Sequence, residues 1–485
     1  MLTGTGWDPA WLALHLTSKD APFPLHESTP WSAVQPVPSD HWLCLEADGR
    51  ATSHRRWAPP DPELTLAEGA QEVRNALVRA VDARTADGGT VSSDLSGGMD
   101  STSLTFLACQ GSAQVVTYHH VGRGVDNDDM HYAGLASRCL SEARHRVYSA
   151  DQAGERFAAL GINVSSADAE EPYAMEPGRS RLALLARAMA GEESRVHLMG
   201  LGGDELFRPG IAYLHDLVRT RPMVGLRHVR AQRVWDRLPW SAVLRPLVNN
   251  TVPSKQIAAV AETLAAPHRR TWADDLGWLD SLRMPPWATS KAVEAAQDLL
   301  RTRARQQVLP LSRWRGQHEM LLCARSSGKA VGRTDLLFAG HGLRLAAPFL
   351  DDEVLNAALA VRPQDLLSPY RFKPLLTAAM EGILPEDILH RTTKGEYSAE
   401  TRHDWQRQRQ RVMQFIEQSE LAQHGLIDVG EARNSLFQLH KNPSMLIKLH
   451  STVVCEVWLR AVRTQTADGF LLPRPAPEPS ESSSP

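Results

Sequence analysis

A parallel α/β sheet covered by helices follows from two features of the sequence. Between residues 65 and 210, short β-prone runs alternate with helical periods, the pattern that gives parallel strands with crossover helices. Two of those runs end in glycine-rich loops, Ser96-Gly97-Gly98-Met99-Asp100-Ser101 and Gly200-Leu201-Gly202-Gly203-Asp204-Glu205. Ligands of such sheets bind beyond the carboxyl ends of the strands. The two loops are therefore expected side by side.

The elements follow in order. Residues 1–64 hold Trp7, Trp11, Trp31, Trp42 and Trp57 with little helical period. His41 to Glu46 alternates and runs into Asp48-Gly49-Arg50, which predicts a hairpin. Pro59-Pro60-Asp61-Pro62 reads as a linker. Ala67, Val73, Ala76, Leu77, Ala80 and Val81 predict a helix over 65–82. Strands are expected at 91–94, 115–120, 146–148 and 195–199, with a loop entering a helix at 126–140 and a helix at 182–190. Beyond residue 210 the pattern is all-helical. The Arg-rich run from Arg219 to Arg237 reads as a solvated helical face. After Leu472 the Pro/Ser-rich tail is low in complexity and expected to be disordered. The division expected is 1–64, 65–468 and 469–485.

Composition narrows the class. The chain has 485 residues, 42% hydrophobic and 22% charged. That is ample for a core and ordinary for a globular protein. A net charge of −3 gives no basic signal for nucleic acid. Five scattered cysteines argue for a reducing cytoplasm and against a disulfide or zinc framework. No apolar run of about 18 residues predicts a membrane span.

The first loop carries the chemistry. Gly97 and Gly98 let the backbone approach a bulky anion, and the helix that follows turns unpaired N–H groups toward it. Ser96 and Ser101 add hydroxyl donors. Asp100 would repel a bare phosphate, but it fits a phosphate site if it holds Mg²⁺. No Gly-Lys-Ser/Thr follows, so this is not a Walker loop.

The stretch Leu95 to Ser101 resembles the pyrophosphate loop of the N-type ATP pyrophosphatases. Two further blocks agree with it. One is Gly202-Gly203-Asp204-Glu205-Leu206-Phe207. The other comprises Pro348-Phe349-Leu350-Asp351, Tyr370-Arg371-Phe372-Lys373-Pro374, Leu384-Pro385 and Arg391-Thr392-Thr393-Lys394-Gly395. In order and spacing the three resemble the synthetase domain of class B asparagine synthetases, over residues 65 to 465. Within that superfamily the chain most resembles lasso peptide macrolactam synthetases. Leu2 stands where asparagine synthetases carry a nucleophilic cysteine, and Trp42 to Trp57 resembles the closing hairpin of an Ntn-type glutaminase domain. Residues 1–64 are therefore expected to be a β-rich remnant of that domain.

The resemblance implies ATP and Mg²⁺ as cofactors, and nucleotide binding by Leu95, Ser96, Gly97, Gly98, Asp100, Ser101, Gly202 and Gly203. It implies metal binding by Asp100 and Asp204, and Lys394 beside the acyl-adenylate. Asp204 could equally be a plain helix cap. Lys373 could contact phosphate or cap a helix, and Asp351 reads as a cap. β-Lactam synthetases use a Tyr–Glu pair as base, but Arg344 occupies that Glu position, which leaves Asp335 and Glu396 as weak candidates. The partners implied are a precursor peptide, a leader-binding recognition protein and a leader peptidase. The alternative is an asparagine synthetase or a β-lactam-synthetase-like ligase acting on a small molecule.

Overall fold

The computed structural model describes residues 6–122, 128–161, 169–267, 271–306, 308–393, 395, 398–438 and 445–467. The expected disordered tail, Lys394 and Glu396 lie outside the described residues.

Five parallel strands form the central sheet: β3 (Thr90–Asp94), β4 (Gln114–His120), β5 (Arg144–Tyr148), β6 (Ser194–Leu198) and β7 (Arg344–Ala346), in the order β5-β4-β3-β6-β7. The chain builds outward from β3 through β4 to β5, then returns to add β6 on the other side of β3. That reversal puts the switch point of the sheet between β3 and β6, where a crevice opens. The helices α3 (Met99–Ala108) and α6 (Gly203–Phe207) start at the carboxyl ends of these two strands. The expected parallel α/β sheet is thus present, and both glycine loops flank its switch point.

Four strands match their sequence periods within two residues. β7 is an element that the sequence reading missed. It has three residues, too few to show a period, and it exists by pairing with Val196, His197 and Leu198. The helix α2 (Leu66–Thr85) begins at a capping box: Thr65 receives the Glu68 N–H, and the Glu68 carboxylate takes the Thr65 N–H at 2.9 Å. Its buried stripe, Val73, Ala76, Leu77, Ala80 and Val81, packs on the sheet and on the helices Asp352–Leu359 and Pro374–Ala379.

A second core stands beside the first. The helix α1 (Pro9–His15), also missed from sequence, buries Trp11, Leu12 and Leu14 against helices of the carboxyl-terminal half. Asp8 caps α1 by accepting the Ala10 N–H at 2.8 Å. Trp7 and Trp31 meet the buried Trp458 edge-on, at 6.2 and 5.8 Å between ring centroids. Within 1–64 the predicted hairpin is present as β1 (His41–Leu45) and β2 (Ala51–Arg55), and it is largely exposed. The two faces of residues 1–64 thus differ: residues 7–31 belong to the second core, and the hairpin stands outside it.

Five more helices complete the parts used below: α4 (Asp129–Cys139), which crosses from β4 to β5, α5 (Arg179–Gly191), which leads into β6, and, after α6, α7 (Tyr213–Thr220) with its successors α8 (Pro222–Trp235) and α9 (Trp240–Leu247).

Candidate active site

The loop after β3 is held as a rigid hook. The Leu95 N–H donates to the Tyr118 carbonyl at 2.8 Å, and the Leu95 side chain is buried, so this residue anchors the loop by its backbone. The hydroxyls of Ser96 and Ser101 lie 2.8 Å apart, and the Gly98 N–H donates to Ser96 Oγ at 3.2 Å. Gly97 adopts φ +79°, and a Cβ there would lie 2.6 Å from the Ala133 nitrogen and the Asp129 oxygen of α4. Glycine is therefore required by both conformation and space. No side chain caps α3, whose N-cap is Gly98, so its first N–H groups face the crevice.

The loop after β6 brings a second carboxylate. Gly202 is left-handed at φ +97° and is the N-cap of α6, while Glu205 accepts the Gly202 N–H at 2.9 Å. Glu205 also accepts the Ser327 hydroxyl at 2.6 Å, which ties α6 to the helix Arg315–Ala339. Glu205 thus caps the start of α6. The close approach of the two loops depends on Gly203: a Cβ there would fall 2.4 Å from Asp100 Cγ.

Asp100 and Asp204 converge on one cation. Lys373 donates to both Asp100 oxygens at 2.5 and 2.6 Å and lies 2.8 Å from Asp204 Oδ1. Its side chain is 1% exposed. Neither sequence alternative for Lys373 describes this. Its backbone occupies the N-cap of the helix Pro374–Ala379, but no side-chain cap forms, and the ammonium bridges two carboxylates. Its backbone sits at φ +43°, a conformation that costs a non-glycine residue about 1–3 kcal/mol. Two carboxylates around one positive point also suit Mg²⁺, which takes few protein ligands plus phosphate oxygens.

Asp351 corrects another expectation. It stands at the N-cap of the helix Asp352–Leu359 without a side-chain cap bond, because Arg84 takes both its oxygens at 2.7 Å. Asp335 is likewise committed: it receives Arg344 and the Leu345 N–H at 2.7 Å, which fixes β7 rather than serving as a base.

Two ion clusters unrecognised in the sequence tether the segment that carries Lys394. On one side Arg391 donates to Asp128 and Asp129, each at 2.5 Å, and stacks on Tyr132 at 4.4 Å. Thr393 also bonds Asp128. On the other side Glu400 meets His120 Nε2 at 2.8 Å and pairs closely with Arg181 of α5. Burial pushes the Glu400 carboxyl up, but His120 and Arg181 outweigh it and bring it down to about 2. Residues 391 and 400 are thereby fixed above the ends of β4 and α4.

Two cavities meet at Asp204. A small one of about 30 Å³ lies between Gly98, Asp100, Lys373, Arg391 and Thr393, room for about one water. A chamber of about 480 Å³ opens on the other side. Its wall includes Glu205, Arg208, Tyr173, Trp278, His26 and the N-terminal segment around Lys19. Burial, with Arg325 beside it, pushes His26 down to about 3, so its imidazole is neutral at pH 7. Neither His26 ring nitrogen hydrogen-bonds among the described residues. His318 is also neutral, pushed down to about 4 by burial, but it is spent on the Leu311 N–H and the Trp278 carbonyl.

The fold and crevice define a parallel α/β protein with a glycine-rich loop, an uncapped helix start and paired carboxylates at its switch point. Residues 72–460 match the asparagine synthase family, and the chain belongs to it. Carboxyethyl-arginine beta-lactam-synthase of Streptomyces clavuligerus is 30% identical over 176 residues, which span 36% of this chain and 33% of that protein. The match thus covers a third of the curated relative. The structure of NMN synthetase from Francisella tularensis aligns at 16% identity over 51% of this chain and 98% of that one, with a TM-score of 0.20, too low to bear on the fold.

Lys373→Met should leave two carboxylates facing each other with no cation between them. The expected cost is about 3 kcal/mol, the low end for a broken buried pair because Asp204 is 39% exposed. Mg²⁺ should raise the melting temperature of this variant more than that of the wild type. A variant with wild-type stability and no Mg²⁺ response would show that the carboxylates do not share a cation.

Because the folded Glu400 carboxyl lies below its ordinary 4.5, its ion pairs contribute stability above pH 4.5 that is lost as pH falls toward 2. In Glu400→Gln, melting temperature should depend less steeply on pH in that window. Identical slopes would remove this tether from the stability of the fold.

Proposed function

We propose that the chain is an ATP-dependent, AMP-forming carbon–nitrogen ligase that closes a macrolactam on a ribosomal core peptide. The observation that carries the reading is the convergence of Asp100 and Asp204 beside an uncapped helix end at the switch point. Mg²⁺ held by these two residues would neutralise charge on the ATP phosphates. The N–H groups of Gly97 and the first turn of α3 bind the pyrophosphate, with Gly98, Ser96 and Ser101 alongside. A side-chain Asp or Glu carboxylate of the peptide attacks the α-phosphorus, and pyrophosphate leaves. The peptide's N-terminal amine then attacks the acyl carbon, loses its proton to solvent, and AMP leaves as the amide closes. Lys394 is assigned to the charge on the α-phosphate and the tetrahedral oxyanion.

In this reading Lys373 leaves the carboxylate pair for the phosphates when nucleotide enters. The leader-binding protein, the leader peptidase and a cytoplasmic setting belong to the same proposal. Among the described residues no helix is long and apolar enough to cross a membrane. The likeness to a beta-lactam synthase favours a second reading, ring closure on a small amino-acid derivative.

Incubation with ATP, Mg²⁺ and a leader-cleaved core peptide should give AMP, pyrophosphate and a peptide lighter by one water. ADP as sole nucleotide product would sink the ligase reading. AMP formation only with small amino-acid substrates would transfer it to the second reading. Lys394→Ala should slow product formation by about 10²–10³ with ATP binding nearly intact. Ring closure at the wild-type rate would take Lys394 out of the site.

A further inference from the structure

The Arg-rich run is more than a solvated face. Residues 219–245 contain seven arginines, Arg219, Arg221, Arg227, Arg230, Arg233, Arg237 and Arg245, against one acid, Asp236, in a chain of net charge −3. Arg219 and Arg233 are used internally: the first bonds Asn250 and the Leu247 carbonyl, the second the Leu238 carbonyl. Arg227, Arg230, Arg237 and Arg245 are exposed, and no ion pair among the described residues engages them.

Large apolar side chains stand among them. Met223 is 76% exposed, Val234 60%, Trp235 82% and Val248 66%, with Leu226 and Leu244 about half exposed. Met223, Leu226, Arg227, Arg230 and Val234 recur at helical spacing on α8, so they form one outward stripe. Arg233 lies 4.8 Å over the Trp240 ring, which joins the stripe to α9. Exposed apolar groups rimmed by arginine mark a surface built for a partner, since Trp and Arg carry most interface energy.

The patch borders the active site. The Tyr370 hydroxyl donates to the Arg227 carbonyl at 3.1 Å, and its ring meets His228 edge-on at 6.0 Å. Tyr370 is three residues before Lys373. The middle of α8 therefore lies next to the segment that leads to Lys373. We propose that α8 and α9 dock an acidic, amphipathic segment of the polypeptide substrate, flanking the residues that react. This rests on the peptide-substrate reading above and adds the recognition surface to it. The four exposed arginines, Arg227, Arg230, Arg237 and Arg245, select negative charge, and the apolar stripe selects apolar side chains at helical spacing. An anionic lipid surface shares that chemistry, but a membrane laid on α8 has no reason to adjoin the Lys373 loop.

The test uses the full chain without nucleotide, so that it stays independent of the chemistry. Three fluorescein-labelled peptides as long as α8 serve as probes: one of Glu and Asp with Leu and Phe at helical spacing, one with Lys for the acids, and one with Ser for the apolar residues. Fluorescence anisotropy should show the first binding at least about tenfold more tightly than either other probe, and weakening with salt. Arg227→Glu with Arg230→Glu, and separately Trp235→Ser, should each lose about tenfold. Arg411→Glu with Arg433→Glu, on other helices, should lose nothing. If the arginine reversal lowers the melting temperature, the salt dependence of the wild type decides instead. Equal binding of acidic and basic probes, or equal loss in the control pair, overturns the proposal. So does retention on phosphatidylglycerol vesicles without binding of the acidic peptide. Peptide binding with no AMP formation would sink the ligase reading alone. AMP formation with no peptide binding would sink the docking surface alone.

Discussion

The three-way contact of Lys373 with Asp100 and Asp204 decides how this molecule is put together. It joins the loop after β3, the loop after β6 and the segment before Pro374, three stretches separated by about a hundred residues or more. Each partner is costly by itself. The lysine is buried in a left-handed backbone conformation, and two carboxylates side by side repel. Together the charges compensate, and Gly203, where a Cβ would fall 2.4 Å from Asp100 Cγ, lets the two loops come close enough. A site built this way is stable only while a cation stands between the acids. Exchange of one cation for another is then the natural response to an incoming polyphosphate.

The second requirement is a fixed approach for the segment between Arg391 and Glu400. Both ends are held by buried charge pairs rather than by apolar packing. Arg391 reaches the start of α4, and Glu400 reaches β4 and α5. Removing one member of such a cluster leaves its partners buried and uncompensated, so each anchor is strongly specified in geometry.

Much of this was legible in the sequence, for identifiable reasons. Four sheet strands and α2 are long enough to show a period, and Thr65 with Glu68 spells a capping box. The paired loops declare themselves because glycines and a lone aspartate have few other uses there. β7 was invisible because three residues have no period and its pairing is purely tertiary. α1 is seven residues long and owes its existence to packing beneath Trp458. The partners of Asp351 and Lys373 were hidden for one shared reason. A charged residue next to a helix start looks like a cap, and only distant partners, Arg84 in one case and Asp100 in the other, show otherwise. The Arg391 and Glu400 clusters were missed for the same reason, since their partners lie more than 200 residues away.

The question of a base can be argued from the same charges. Asp335 is consumed by Arg344 and by the β7 backbone, and Arg344 itself is 72% exposed. The residue that stands in the expected Glu position therefore serves the sheet edge. A peptide α-amine has a pKa near 7.7–8.0, so roughly a tenth or more is neutral at pH 7 without help. Holding that fraction against an activated acyl group supplies proximity worth several kcal/mol. The chamber beside Asp204 is lined by Lys19, Arg208, Arg325, Lys329 and Arg333. Burial keeps its two imidazoles, His26 and His318, unprotonated, so they add no further positive charge. In an enzyme of the proposed kind, the absence of the Glu is then tolerable because a fair fraction of the nucleophile is already neutral at pH 7, whereas an amine of higher pKa would be almost wholly protonated.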